Sequence, residues 1–179
     1  MTDGDPIGGC DPRDSPAAIA ALVRAAQRGN TMAMNDLLDL LAPYVGRICG
    51  PIALDDAADA AQEALTTVFR HLHTLREPVA VYGWVRAIAT REAIRMAQRR
   101  SSRPTAELID LPAHGDIELA ADIRDVLDRL TAEHRAILVL RDLEGLDERQ
   151  VAEILAAPLG TVKSRLHRAR LNFRRMWTE

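Results

Sequence analysis

Apolar residues recur along this chain at steps of three and four and almost never in sustained alternation, so the pattern predicts helices nearly throughout. Ser15-Pro16 reads as an N-cap followed by a first-turn proline, and Gly29 closes a helix over about 16–28. A second helix is expected from about Thr31 to Ile48, perturbed near Pro43 and stopped by Gly50-Pro51. Asp55-Asp56 should cap a third, with Ala61, Leu65, Val68, Phe69 and Leu72 as its apolar face. A fourth should run from about Tyr82 to Arg100. The stretch from Ser101 to Gly115 then holds two prolines, a glycine and few periodic apolar residues, which marks a linker. A second helical block follows over about 117–130, 132–143, 147–156 and 158–177, with Thr131 as a cap and Gly145 as a stop. No period-two run is bounded by turn residues, so no sheet is expected.

The end of the second block carries the sharpest local signals. Asp147 is a good N-cap and Gln150 stands three residues on, as a capping box requires. Val151, Ile154 and Leu155 form one apolar stripe, and Ala156-Ala157-Pro158 breaks the helix with Pro158 suited to the first position of the next. Val162, Leu166, Ala169, Phe173 and Trp177 then share one helical face, so Lys163, Ser164, His167, Arg168 and Arg170 point away from it. From Thr161 to Met176 there are six Lys/Arg and no carboxylate, although the whole chain is net −3. A basic helix face is usually only a solvated one, but a solvated face normally interleaves acids with its bases. Short Thr161 and Ser164 among the arginines also let the backbone approach a groove. A helix pinned by a partner and presenting cations outward is a helix-turn-helix, whose second helix enters the DNA major groove.

Composition narrows the class. The 179 residues are 47% hydrophobic but only 3% aromatic, which favours closely packed helices. No stretch of ~18 apolar residues is evident, so no membrane span is expected, and the acidic, Gly/Pro-rich residues 1–14 read as a disordered tail and not a secretory signal. The protein is expected to be cytoplasmic. Cys10 and Cys49 belong to no CxxC pair, so no structural zinc is expected, and Cys49 reads as a small buried apolar residue.

Charge is segregated. From Arg86 to Arg103 there are six arginines and one glutamate, whereas from Pro104 to Glu153 thirteen acids face five arginines. Arg91, Arg95 and Arg99 are four apart and share a helix face. Either that face is merely solvated, or two basic helices in two modules grip one polyanion. Catalytic readings are poor. His71 and His73 face different directions, and there is no Gly-rich phosphate loop, GxSxG elbow or HExxH. The carboxylates Asp55, Asp56, Asp59 and Glu63 suit a helix start and a protein-docking face better than a metal site. No enzyme activity, metal or cofactor is expected. A stand-alone helix-turn-helix regulator with a helical dimerisation domain, or a protein-interaction scaffold, stays open on these grounds.

Three segments resemble one family. DAADAAQEALTTVFRHL (56–72), YGWVRAIATREAIRMAQRR (82–100) and LTAEHRAILVLRDLEGLDERQVAEILAAPLGTVKSRLHRAR (130–170) look like regions 2 and 4 of an extracytoplasmic-function sigma factor, a two-domain bacterial transcription initiation factor. The resemblance implies an all-α fold of two small helical domains, a sigma2-like bundle and a sigma4-like helix-turn-helix bundle, joined by a flexible acidic linker. The boundaries would be tail 1–14, region 2 domain 15–101, linker 102–116 and region 4 domain 117–179. It implies polymerase docking through Asp56, Asp59, Gln62 and Glu63, and contacts to the −10 element from Trp84, Arg91, Arg95, Arg99 and Arg100, with Trp84 also suited to core packing. It implies −35 contacts from Thr161, Lys163, Ser164, Arg165, His167, Arg168 and Arg170. The implied partners are the clamp helices and flap of RNA polymerase core, promoter DNA and an anti-sigma factor. Two departures stand out. Arg91 and Arg95 replace an Asn and an Asp common in the family's −10 segment, which makes that face more cationic. Ala156 replaces the usual turn glycine, which implies a slightly different turn.

Overall fold

The computed structural model describes residues 15–101 and 117–178, with side chains placed over 15–100 and 122–178, and no strand occurs among them. The tail and linker expected at 1–14 and 102–116, with Cys10, lie outside the described residues. The first block comprises α1 (Pro16–Gln27), α2 (Thr31–Ala53), α3 (Ala57–His71) and α4 (Val81–Ser101). The second comprises α5 (Ile117–Asp128), α6 (Ala132–Leu138), α7 (Glu148–Leu155) and α8 (Leu159–Trp177). A π-helical turn, Val139–Leu143, extends α6.

Local chemistry sets most boundaries. The Ser15 hydroxyl accepts from Ala18 N at 3.2 Å and the Asn30 side chain from Ala33 N at 3.1 Å, each satisfying an orphan N–H of a first turn. Gly29 between them sits at φ 87°, where a Cβ would be strained. Thr131 caps α6 in the same way, accepting from His134 N at 3.3 Å.

Three expectations fail in α2 and α3. α2 does not stop at Gly50-Pro51; it passes through Pro43 and Pro51 and ends only at Ala53. Each interior proline costs about 3 kcal/mol. Leu37, Leu41, Val45, Ile48 and Ile52 are all buried along one face, and each such burial contributes about 1.5–3 kcal/mol, so packing wins. What ends the helix is Leu54, whose backbone turns to φ 55°. In α3 the buried stripe is Ala60, Ala64, Val68 and Leu72, whereas Phe69 is 56% exposed and Ala61 and Leu65 are only half-buried. The larger side chains flank the seam, and the small ones let α3 lie close to α2 and α4. Nor does Asp56 cap α3 with its side chain; its carboxylate turns toward Arg100, 3.9 Å away.

The helical run Thr31–Thr74 is long and apolar enough to cross a bilayer by length and composition, which qualifies the expectation from the sequence. Its apolar face, however, is the core of this bundle. Cys49 is fully buried there, as expected, with its thiol 3.7 Å from the Ala89 carbonyl; burial pushes that thiol up to about 12.

The two blocks pack against each other. Ala136 and Val139 belong to the same buried cluster as the core of the first block, and α4 lies against α2 and α3 on one side and α6 and α7 on the other. Ala89, Ala93 and Ala97, at steps of four, are buried along α4. The small side chains allow this close approach. A second cluster, built from Ile137, Leu140, Val151, Val162, Leu166 and Ala169, holds α6, α7 and α8 together.

Candidate nucleic-acid interface

α7 and α8 form the expected helix-turn-helix. The Asp147 carboxylate accepts from Arg149 N and Gln150 N at 2.8 and 2.9 Å, and the Gln150 side chain accepts from Asp147 N at 2.9 Å, closing the capping box. Ala156 lies at φ 49°, ψ 44°, the left-handed region. Ala156 thus takes up a conformation that glycine adopts without strain, and the 3.0 Å bond from Ala157 N to the Ala152 carbonyl closes the α7 terminus there. Pro158 precedes the first helical residue of α8 instead of occupying it.

On α8, Val162, Leu166 and Ala169 are buried as expected. Phe173 and Trp177 stack on each other, ring centroids 6.1 Å apart, but Trp177 stays 44% exposed. They line an apolar groove of about 570 Å³ together with Ile123, Leu127, Leu138 and Leu143. The sequence pattern assigned both rings to the core face; helix α8 outruns the cluster it packs on, so its last turns face this groove instead.

The opposite side of α8 presents Lys163, Ser164, His167 and Arg168, all exposed, with Thr161 and Arg165 half-buried. The Ser164 hydroxyl donates to the Thr161 carbonyl at 3.0 Å, leaving its own oxygen outward. Lys163 is 3.8 Å from Glu148, a loose and largely exposed pair. Arg170 makes a two-pronged contact to Asp142, which holds its guanidinium firmly charged. His134 of α6 lies beneath this face. Burial lowers its pKa from 6.5, Glu133 opposes that shift, and Arg165 and Arg168 reinforce it.

The second basic helix differs. Of the residues expected on its charged face, Arg91 and Arg99 are exposed and Arg95 half-buried. Arg91 Nε donates to the Ile154 carbonyl of α7 at 3.1 Å. Arg95 Nε donates to Glu92 at 2.7 Å and Arg95 Nη2 lies 4.0 Å from Glu63, while Arg100 pairs with Asp55 at 2.7 Å. Trp84 is half-buried and packs on the core of the first block. On α3, Asp59, Gln62 and Glu63 are exposed, and Asp56, just before it, is half-buried beside Arg100. The structure thus gathers Lys163, Ser164, His167 and Arg168 into one open surface, but ties Arg170 to Asp142 and most α4 cations to neighbouring acids and carbonyls.

Two groups escape a reading of the sequence. Arg135, 7% exposed, donates to the Ile52, Leu127 and Leu130 carbonyls at 2.7, 3.1 and 2.7 Å, stitching the ends of α2 and α5 together. Glu144 is met by Tyr44, Arg47 and Arg86 of the other block. Its partners stand up to 100 positions away, so no local pattern marks them.

Comparison with known proteins places this geometry. The family model for sigma-70 region 2 matches residues 34–103 and that for sigma-70, region 4 matches residues 120–172. The ECF RNA polymerase sigma factor SigE of Mycolicibacterium smegmatis is 30% identical over 97% of this chain and 72% of its own length. The ECF RNA polymerase sigma-E factor of Haemophilus influenzae is 30% identical over 84% of this chain and 90% of its own. Among solved structures, the sigma factor RpoE in complex with the anti-sigma factor NepR from Bartonella quintana superposes with TM-score 0.65 at 21% identity, covering 80% of this chain and 96% of that one. CnrH in complex with the cytosolic domain of CnrY gives TM-score 0.63 at 18% identity, covering 88% of this chain and 96% of that one; both likenesses concern the fold. The chain belongs to the ECF RNA polymerase sigma factors, a family of non-catalytic polymerase subunits with region 2 and region 4 domains.

Proposed function

We propose that this protein brings bacterial RNA polymerase core to specific promoters in the cytoplasm, with residues 15–101 and 117–179 acting as its two working units. In this reading Asp56, Asp59, Gln62 and Glu63 dock on the clamp helices, and Trp84, Arg91, Arg95, Arg99 and Arg100 serve the −10 element. Lys163, Ser164, His167 and Arg168 read the −35 element. Thr161, Arg165 and Arg170 set register through the phosphate backbone, which fixes position but carries no sequence information. The apolar groove beside Trp177 offers the flap a seat. An anti-sigma factor is the regulator, since one solved neighbour is a sigma factor held by such a partner.

The observation that carries the reading is the open, one-signed face of α8, held at a fixed angle by the capping box and the left-handed Ala156. Run-off transcription with bacterial core polymerase tests it. Promoter-dependent initiation that needs this chain is the expected result; tight binding to a palindromic duplex without polymerase would favour a stand-alone regulator instead.

A further inference from the structure

Glu144 belongs to the second block, yet among the described residues the side chains that meet its carboxylate come from the first. Tyr44 Oη donates to Oε2 at 3.0 Å, Arg47 Nη2 is 3.0 Å from Oε1, and Arg86 Nη1 is 3.7 Å from Oε2. The Glu144 side chain is only 9% exposed in this setting. Its region 2 partners are themselves organised: the Arg47 guanidinium lies 5.3 Å over the Tyr44 ring, and that ring meets Tyr82 edge-on at 5.1 Å. A carboxylate taken out of water and matched by two cations and a hydroxyl is favourable only while all four stay together; separation forces each to find water again.

The contacts around it run the same way. Arg135 of α6 donates to the end of α2, Arg91 of α4 donates to the end of α7, and Arg124 of α5 pairs with Asp55. Together they hold the second block against the first. The consequence is asymmetric. Lys163, Ser164, His167 and Arg168 of α8 stay exposed, whereas α4 is covered on the side of the second block and Arg91 is engaged there.

We propose that Glu144 is an intramolecular latch: gripped by Tyr44, Arg47 and Arg86, it holds the free chain closed, and the face of α4 turned to the second block becomes available only when the grip is released. The structural part stands on the contacts alone. Its consequence for polymerase rests on the proposed function, because the resting chain would then associate with core in proportion to its small open fraction.

The test uses the full-length chain with Cys10→Ser, Arg70→Cys and Arg175→Cys, labelled for single-molecule energy transfer between the two blocks. Glu144→Gln and Arg47→Ala each remove one side of the grip, and the Arg47 side chain is 65% exposed, so its loss spares the fold. Each variant is expected to raise the ratio of open to closed molecules about tenfold, equivalent to ~1.4 kcal/mol. The double variant should open little further than either alone, as for two halves of one contact. Association with core should accelerate by a similar factor. Unchanged energy transfer in both single variants overturns the latch, and so does additive opening in the double variant. Failure of the unaltered chain to support run-off transcription sinks the functional reading while leaving the energy-transfer result to stand or fall by itself.

Discussion

At Ala156 residue type and backbone conformation disagree, and substitution there has a calculable outcome. Its φ of 49° and ψ of 44° place an L-residue in the left-handed region, at a cost of roughly 1–2 kcal/mol from the clash of Cβ with the following carbonyl. Its side chain is exposed, so no packing contact offsets this. Ala156→Gly removes the clash but gives the unfolded chain more freedom, an opposing effect of about 0.4–1 kcal/mol. The net gain should be about 0.5–1 kcal/mol, seen as a rise of about 1–4 °C in melting temperature for a chain of this size. Ala156→Val, β-branched at positive φ, should lose a further ~1 kcal/mol. Ala157→Gly, one residue on and at negative φ, should destabilise by about 0.5–1 kcal/mol or more, because there glycine brings only its entropy cost and a lost methyl contact. Urea unfolding of the three variants beside the parent decides the matter. An Ala156→Gly variant less stable than the parent, or an Ala156→Val variant equal to it, would refute the left-handed turn.

Other outcomes follow from the same contacts. Arg135→Met should cost about 3 kcal/mol in urea unfolding, since charge-assisted hydrogen bonds to three buried carbonyls are lost; a loss below about 1 kcal/mol would mean that water replaces them. Arg168→Ala should weaken holoenzyme binding at the cognate −35 site by roughly 1–3 kcal/mol, and an unchanged promoter profile would remove Arg168 from the base-reading set. His134 should titrate below 6.5 in an NMR experiment. Its neutral form is the one the fold favours, so its contribution to stability is complete above 6.5 and is lost as pH falls through the lowered value. Arg168→Ala should raise that midpoint, and a parent midpoint at or above 6.5 would contradict the burial of this ring.

How far the sequence reaches depends on how local the determining interactions are. The bounds of α7 and α8 are legible to within a residue because a capping box, a turn and one apolar face all act within a few positions, although the strain at Ala156 and the outward turn of Trp177 are not. The end of α2 is not legible, because propensity rules count the proline but not the five aliphatic side chains buried on the same helix. In α3 the large apolar residues draw the expected face toward Phe69, whereas close packing selects the alanines beside it. The basic face of α4 is visible as a charge pattern, but its engagement is not. Whether Arg91 meets solvent or the end of α7 depends on a partner 63 positions away. Glu144 and Arg135 are invisible for the same reason, each reading as an ordinary charged residue on a helix that turns out to face another block.

Promoter selection from a random DNA library, by bacterial core polymerase reconstituted with this chain, probes docking and DNA reading in one experiment. Enrichment of one class of sequences with shared −35 and −10 elements, with the −35 preference altered by Arg168→Ala, is the predicted result. A library returned without any shared element, although the chain is folded and bound to core, would contradict it.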